Sequence, residues 1–351
     1  MSFKSLIYKT ALNGFYYTGL HTALAPMMRG QGIVLTLHHV RPLNEKKFRP
    51  NDMLEITPAF FDELLGWLRD DGYELVSLAD VHERLLNPSD QRFAAITFDD
   101  GYRDNLEFAY PILQRHGAPF TIFITTGFMD RSSELWWIAL ERLIEQQEVI
   151  AFGPKGDRQY LNCRTQSEKH ETFNFLRTYM LMSPDAQTAR NALRDMCWRY
   201  EIDLKALCEE LIIDWPTLQQ VAQDPLMTVG AHTIDHHNLA VVDAELLEAE
   251  VAASAKLLEA AMGARPRFFA YPYGFGQAVN QTAVSAVQRA GYDAAFTTMP
   301  DTLHAGYADQ LAALPRVSVN GLYQRLKYID VLTSGVAFKL KNRGSKIAIP
   351  A

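Results

Sequence analysis

The 351-residue chain is poor in three features, and each shortage argues against a class of protein. Its three cysteines, Cys163, Cys197 and Cys208, form no CxxC pair, which argues against a disulfide framework and favours a reducing compartment. It has no excess of basic residues, because its formal net charge is -7, so a general nucleic-acid-binding surface is not expected. The glycine fingerprint of dinucleotide-binding proteins is also missing.

The chain also lacks a long unbroken apolar run at its N-terminus. Within the first 30 residues, Lys9, Asn13, Gly14 and His21 interrupt the apolar residues, so neither a secretory signal nor a membrane span is expected. The pattern predicts an amphipathic helix packed on the protein, and a helix lying on a membrane surface is the open alternative. We therefore expect a cytoplasmic protein, with peripheral membrane contact through this segment as that alternative.

Short apolar runs alternate with longer helical patterns along most of the chain. Alternation of this kind, with nearly continuous apolar strands, predicts a parallel sheet buried on both faces. The strand candidates are GIVLTLHHV, ELVSL, AAITFD, FTIFITT, MTVGAH, RFFAYP, AAFTT and RVSV. Eight strands favour an α/β fold of the (β/α) barrel type, and an open doubly wound sheet is the second choice.

The alternation is interrupted once. Residues 131–227 are mostly helical in pattern and are predicted to be an insertion between two barrel strands. The predicted organisation is an N-terminal amphipathic helical segment at 1–32, a barrel at 33–320 that contains this insertion, and a basic tail at 321–351. The tail is interpreted as a packing helix or an interaction surface.

Polar side chains follow four of the strand candidates. His38 follows IVLTL, Asp99 and Asp100 follow AITF, His232 follows MTVGA, and Tyr273 follows RFFAYP. Because the carboxyl ends of the parallel strands in a barrel converge on one face, and that face holds the active site, we expect these residues to meet in space.

Two of these strand ends indicate a metal site. His232 and His236 are four residues apart, and two imidazoles with one carboxylate form a common divalent-metal set. One of the adjacent aspartates could bind the ion while its neighbour takes a proton from water. Surface histidines on a hydrated loop and a helix-capping aspartate are the alternatives, although capping explains only one of Asp99 and Asp100.

The motifs TFDDG, HTIDHHNL and FAYPYG resemble, in that order, the first three motifs of the NodB-homology polysaccharide deacetylases, carbohydrate esterase family 4. The similarity covers roughly residues 33–130 and 225–320. It implies a distorted (β/α) barrel. It also implies that Asp99 is the catalytic base and that Asp100, His232 and His236 bind one divalent ion. Zinc is the default ion, and cobalt, nickel or iron would suit the same ligands.

The third motif matches only in part. The resemblance implies that Pro272 helps to bind substrate and that the backbone N–H of Tyr273 helps to hold the oxyanion. Many members have an arginine three residues before that tyrosine, where this chain has Ala270. Arg316 could pair with Asp99 or bind substrate, and a structural salt bridge is equally compatible with its position.

Two later motifs of the family, a tryptophan-containing one and LLxHD with its general-acid histidine, are missing. LTLHHV resembles an N-terminal element of the poly-N-acetylglucosamine deacetylases, which carries that histidine. This similarity implies that His38 is the general acid; a core histidine is the alternative.

The expected function is metal-dependent removal of N-acetyl groups from an acetamido sugar of a polysaccharide, an oligosaccharide or a glycan precursor. Two alternatives remain open: an amidase acting on a small non-sugar amide, and a non-catalytic carbohydrate-binding protein on the same fold. The sequence predicts an N-acetylated glycan as partner and no nucleic acid, and it predicts no particular oligomeric state.

Overall fold

The computed structural model describes residues 3–342 and 345–350, so residues 1–2, 343–344 and 351 of the two predicted terminal segments lie outside the described part. Twelve strands occur within the described residues. They are β1 (Gly32–Leu37), β2 (His39–Val40), β3 (Glu55–Ile56), β4 (Tyr73–Val76), β5 (Arg92–Phe98), β6 (Phe120–Ile124), β7 (Val149–Phe152), β8 (Gln159–Asn162), β9 (Met227–Ala231), β10 (Phe268–Ala270), β11 (Ala294–Phe296) and β12 (Val317–Ser318).

The same described residues contain fifteen α-helices. They are α1 (Phe3–Tyr17), α2 (Leu20–Met28), α3 (Pro58–Asp70), α4 (Leu78–Leu86), α5 (Tyr110–His116), α6 (Thr126–Met129), α7 (Trp136–Gln146), α8 (Gln166–Met182), α9 (Ala186–Arg199), α10 (Leu204–Leu211), α11 (Trp215–Val221), α12 (Ala244–Met262), α13 (Gln281–Ala290), α14 (Leu326–Thr333) and α15 (Val336–Lys341).

All eight strand candidates enter one parallel sheet. Its order is β11-β10-β9-β6-β5-β1-β12, and β4 pairs with the first half of β5 while β6 pairs with the second half. Every pairing in this sheet is parallel. The central strands are nearly continuous runs of buried apolar residues, as a sheet covered on both faces requires.

The sheet curves into a parallel half-barrel. Its two ends approach each other, because Phe296 at the end of β11 forms a parallel bridge with Leu314, which lies three residues before β12. The predicted distorted barrel is confirmed, and the open doubly wound alternative is set aside. The curvature brings the carboxyl ends of the strands together around one opening.

The predicted insertion is mostly helical. Helices α7 to α11 lie in residues 131–227, together with one antiparallel hairpin of β7 and β8 that the sequence pattern did not predict. Aspartates begin three of these helices: Asp185, Asp203 and Asp214 each accept hydrogen bonds from backbone N–H groups of the first turn.

The N-terminal segment forms two helices instead of the single one predicted. Gly19 separates α1 from α2, and its positive φ of 69° breaks the helical path. Both helices pack against α14, and α2 also packs against α15. Among the described helices, none has the length and apolar character needed to cross a bilayer.

Candidate active site

The predicted site residues lie at the carboxyl edge of the sheet. His38 directly follows β1, Asp99 and Asp100 follow β5, and His232 follows β9. Tyr273 comes three residues after β10. Register accounts for this grouping, since β1 and β5 end together at the Leu37–Phe98 pair, and β9 ends two residues beyond that level.

Asp99 is held by an ion pair that crosses the half-barrel. Oδ1 of Asp99 accepts a hydrogen bond from Nη1 of Arg316, and Oδ2 accepts one from Nη2, each at 2.7 Å. Burial alone would raise the pKa of Asp99, but the Arg316 guanidinium and the neighbouring His232 outweigh burial and hold that pKa below its usual range. Asp99 is therefore ionised at neutral pH despite being buried.

Arg316 is buried and forms its ion pair with Asp99, so it presents no exposed guanidinium surface to a substrate. It has no exposed surface, and two further N–H groups of its guanidinium bond the hydroxyl of Thr97 and the backbone carbonyl of Thr297. Of the alternatives that the sequence left open, the structure selects the ion pair with Asp99.

Asp100, His232 and His236 form a compact buried group. Oδ1 of Asp100 lies 3.4 Å from Nε2 of His232 and 3.2 Å from Nε2 of His236. One potential ligand atom from each of these side chains lies within 4.8 Å of the others.

The donor set of this group fits a divalent ion. Oδ1 of Asp100 is buried and has no hydrogen-bond partner among the described residues. Nδ1 of His232 lies 2.7 Å from the carbonyl oxygen of Ala270, which can only accept, so Nδ1 carries the proton and Nε2 offers its lone pair. Burial lowers the pKa of His236, and the nearby Asp100 carboxylate offsets this lowering only in part. The His236 imidazole is therefore neutral, as metal ligation requires. These three side chains could hold a metal ion.

The loop that carries the two histidines is fixed by a buried carboxylate on α12. Oε2 of Glu250 accepts hydrogen bonds from the backbone N–H groups of Ile234 (3.0 Å) and Asp235 (2.9 Å). On its other side, a side chain at Gly127 would come within 2.6 Å of the Ile234 carbonyl oxygen, so glycine lets α6 approach this loop. The loop therefore has little freedom to move the imidazole of His236.

The two histidines that follow Leu37, His38 and His39, have different surroundings. Nδ1 of His39 lies 2.6 Å from Oδ2 of Asp104, and the His39 ring is buried beside Tyr102. His38 is only half-buried, and its electrostatic neighbours include Asp99 and Asp100. Burial lowers the pKa of His38, while the two carboxylates favour its charged form in part. Of the pair, His38 is the histidine that interacts electrostatically with both carboxylates.

Tyr273 adopts a left-handed backbone conformation with φ of 61°. Its backbone N–H has no hydrogen-bond acceptor within the described part of the chain, and the preceding residue, Pro272, is buried. The Tyr273 ring lies 4.5 Å from the ring of His236, so this residue borders the metal-binding group. Its N–H is consequently available to a ligand at the strand ends.

The helical insertion forms one wall of the site. The indole N–H groups of Trp136 and Trp137 donate to the hydroxyls of Tyr273 (2.8 Å) and Tyr102 (3.0 Å), and the Trp137 ring lies 5.1 Å from His236. Both tryptophans are buried, so they support the site and do not present open faces for stacking on a sugar.

Comparisons with known proteins agree with this geometry. A family model described as polysaccharide deacetylase matches residues 86–295, a range that contains Asp99, Asp100, His232, His236 and Tyr273. The poly-beta-1,6-N-acetyl-D-glucosamine N-deacetylase of Escherichia coli (strain K12) is 22% identical over 294 residues, which are 82% of this chain. The chain spans only 36% of that relative's length.

Solved structures share the fold. The Streptococcus pyogenes deacetylase PplD, solved in complex with acetate, superposes with a TM-score of 0.56 and 18% identity, covering 86% of this chain and 97% of PplD. IcaB from Ammonifex degensii gives a TM-score of 0.54 at 18% identity and covers 87% of this chain and 97% of IcaB. At these identities the two superpositions support the fold and leave the chemistry to the residues of the site.

Proposed function

The chain belongs to the polysaccharide deacetylase family, and on that premise we propose that it is a metal-dependent hydrolase that removes N-acetyl groups from an acetamido sugar. The proposal rests on two groups of side chains that lie next to each other at the carboxyl edge of the sheet. A buried Asp–His–His group suited to a divalent ion adjoins a carboxylate, Asp99, that is kept ionised by Arg316. Hydrolysis of an amide needs both an electrophilic activator and a base.

Asp100, His232 and His236 would hold the ion. A bound divalent ion at that place would supply Lewis-acid polarisation of the acetyl carbonyl and acidification of water. Zinc is proposed as this ion, and cobalt, nickel or iron would suit the same nitrogen and oxygen donors.

Three residues of the chain would carry the proton and charge movements. The Asp99 carboxylate accepts a proton from the attacking water, and the Tyr273 N–H donates to the carbonyl oxygen as negative charge develops there. His38 donates a proton to the sugar nitrogen as the carbon–nitrogen bond breaks, which releases acetate and a free amine. Arg316 acts through Asp99 as a positioning residue.

Three observations support these finer assignments. His38 has Asp99 and Asp100 among its electrostatic neighbours, whereas His39 is bound to Asp104. This supports placing the chain near the deacetylases whose general-acid histidine lies in an N-terminal element. The E. coli relative makes β-1,6-linked N-acetylglucosamine oligomers the first substrate to test. The position of Pro272 beside Tyr273 supports a substrate contact there.

The experiment that tests the proposal combines metal content with acetate release. Wild-type protein should contain about one divalent ion per chain by plasma mass spectrometry and release acetate from N-acetylglucosamine oligomers. The His232→Ala/His236→Ala double variant should lose both. His237→Ala removes the adjacent imidazole, which is outside the proposed ligand set, and should retain both.

Two outcomes would contradict the proposal. Failure of the wild type to take up metal after reconstitution would exclude the metal-dependent reaction. Metal uptake with acetate released only from a small non-sugar amide would exclude the sugar substrate and favour the amidase alternative.

A further inference from the structure

Among the side chains that the structure describes, the exposed residues of the two N-terminal helices are all uncharged. Within the side chains that the structure describes, every exposed residue between positions 6 and 30 is uncharged. The large ones are Leu6, Ile7, Tyr8, Tyr17, Leu20 and Met27. Lys9 and Arg29 are half-buried at the borders of this surface, and His21 is buried. Isolated exposed apolar side chains are ordinary on proteins, but two consecutive helices whose exposed faces lack any charge are not.

The two ends of the chain are basic, although the protein as a whole is acidic. Residues 1–44 contain four basic residues and no acidic one, and residues 331–351 likewise contain four basic residues and no acidic one. The formal net charge of the full chain is nevertheless -7. The basic charge is therefore concentrated in two segments that are far apart in sequence.

The fold brings these two segments together. Nζ of Lys327 on α14 lies 3.1 Å from the Tyr17 hydroxyl and 4.8 Å from the centre of its ring. A side chain at Gly335, which precedes α15, would come within 2.1 Å of the Met28 carbonyl oxygen, so glycine allows α15 to pack against the end of α2. The tail helices therefore lie directly beside the uncharged helical faces.

The acidic residue that comes just before the acid-free segment 331–351 is already paired. Oδ2 of Asp330 on α14 lies 3.0 Å from Nε2 of the buried His21 on α2. Lys341 at the end of α15 is exposed, and no ion pair is recorded for it within the described residues. A negatively charged surface approaching α1 and α2 would meet apolar side chains flanked by basic ones.

We propose that α1 and α2 form a docking face for the surface of an anionic lipid bilayer. Apolar and aromatic side chains on helices lying in the interface plane enter the headgroup region, and neighbouring lysines and arginines are attracted to anionic headgroups. A second copy of the chain is a poorer partner, because two copies would oppose one basic tail to another. The proposal is independent of the deacetylase assignment.

Vesicle flotation of the full chain tests the proposal. Vesicles of phosphatidylcholine with 30 mol% phosphatidylglycerol, taken as roughly the anionic share of a natural leaflet, should bind the wild type, and binding to pure phosphatidylcholine should be much weaker. The Ile7→Glu/Met27→Glu variant should bind the anionic vesicles about tenfold or more weakly. Its far-UV circular dichroism and thermal midpoint should match the wild type, since both side chains are exposed.

The matched control is Leu86→Glu/Trp198→Glu. Its two side chains are 58% and 82% exposed, against 54% for Ile7 and 81% for Met27, and it adds the same negative charge outside α1 and α2. It should bind vesicles as the wild type does. Equal loss in both variants, or no binding by the wild type, would overturn the proposal. A wild-type dimer in sedimentation velocity that only Ile7→Glu/Met27→Glu dissociates, without vesicle binding, would assign the face to a second copy and also overturn it.

Discussion

On the Arg316 side of the site, both oxygens of Asp99 are hydrogen-bonded, and the guanidinium itself bonds Thr97 and Thr297. On the histidine side, Oδ1 of Asp100 and Nδ1 of His236 are buried without a hydrogen-bond partner among the described residues. Buried polar atoms are almost always paired, so atoms left unpaired point to a missing ligand. The carboxylate on the first side is paired within the protein, and the second side could hold a cation.

The backbone shows the same contrast. Asp100, Thr233, His236 and Tyr273 all have positive φ values, between 56° and 75°, and all lie on the histidine side. Such conformations cost roughly 1–3 kcal/mol each for residues other than glycine. The ion pair on the other side involves no such residue. The histidine side thus combines unpaired buried atoms with strained backbone, and the Asp99–Arg316 pair shows neither.

The largest expected effect comes from replacing Asp99, the proposed base on the Arg316 side of the site. Asp99→Asn keeps the shape of the side chain but cannot accept a proton, so kcat/KM for acetate release should fall by about 10²–10⁴-fold. Metal content should stay at the wild-type level, because Asp99 is not among the three proposed ligands. Parallel kinetics and plasma mass spectrometry check both. Loss of metal together with activity would indicate that Asp99 is a metal ligand. It would contradict the separation of Asp99 from the Asp100, His232 and His236 group.

Replacing the partner of Asp99 should shift the pH profile. In Arg316→Met the buried Asp99 loses its cation, so its pKa should rise by about one unit or more. Because the ionised carboxylate is the active form, activity disappears below that pKa, and the acid limb of kcat/KM should move to higher pH. Arg316→Lys retains a positive charge and should keep its acid limb closer to that of the wild type.

The measurement for this variant is a kcat/KM profile from acid to neutral pH, with unfolding followed separately. Removing one partner of a buried ion pair costs about 3–5 kcal/mol of stability, so assays belong at a temperature where the variant is folded. A profile of Arg316→Met that superposes on the wild type after scaling would show that Arg316 has only a structural role.

The smallest expected effect comes from weakening the hydrogen bonds that hold the loop of His232 and His236. Glu250→Ala leaves the N–H groups of Ile234 and Asp235 without an acceptor, so zinc affinity should fall by roughly tenfold. Glu250→Gln is the matched control: both N–H groups bond the same oxygen, which an amide oxygen can replace, so affinity should stay near that of the wild type. Competition with a fluorescent chelator measures both values. Equal losses in the two variants would mean that the charge of Glu250, and not its hydrogen bonds, is what matters.

The sheet and the grouping of Asp100, His232 and His236 could be predicted from the sequence because their signals are local. Each strand is a short apolar run, and each proposed ligand follows directly after such a run or lies four residues from another ligand. Parallel strands then bring these positions together without further information. The same logic placed His38 at the edge that it occupies.

The partners of these residues could not be predicted so easily. Nothing near Arg316 in the sequence indicates that it pairs with Asp99. The group that orients His232 is the backbone carbonyl of Ala270, at the position where many family members have an arginine side chain. One signal was available: Glu250 lies at helical spacing between the buried Leu247 and Ser254, on the buried face of α12.

The ion pair between Asp99 and Arg316 also has a consequence for the order in which the protein becomes active. The two residues are 217 positions apart, and Arg316 stands immediately before β12, where the half-barrel closes. Contacts that span so much sequence form late in folding, because a long loop must first be ordered. A chain still emerging from the ribosome can complete the loop of His232 and His236 before Asp99 is paired. Under the proposed function, hydrolytic competence would then coincide with closure of the sheet, and a partly made chain would be inert.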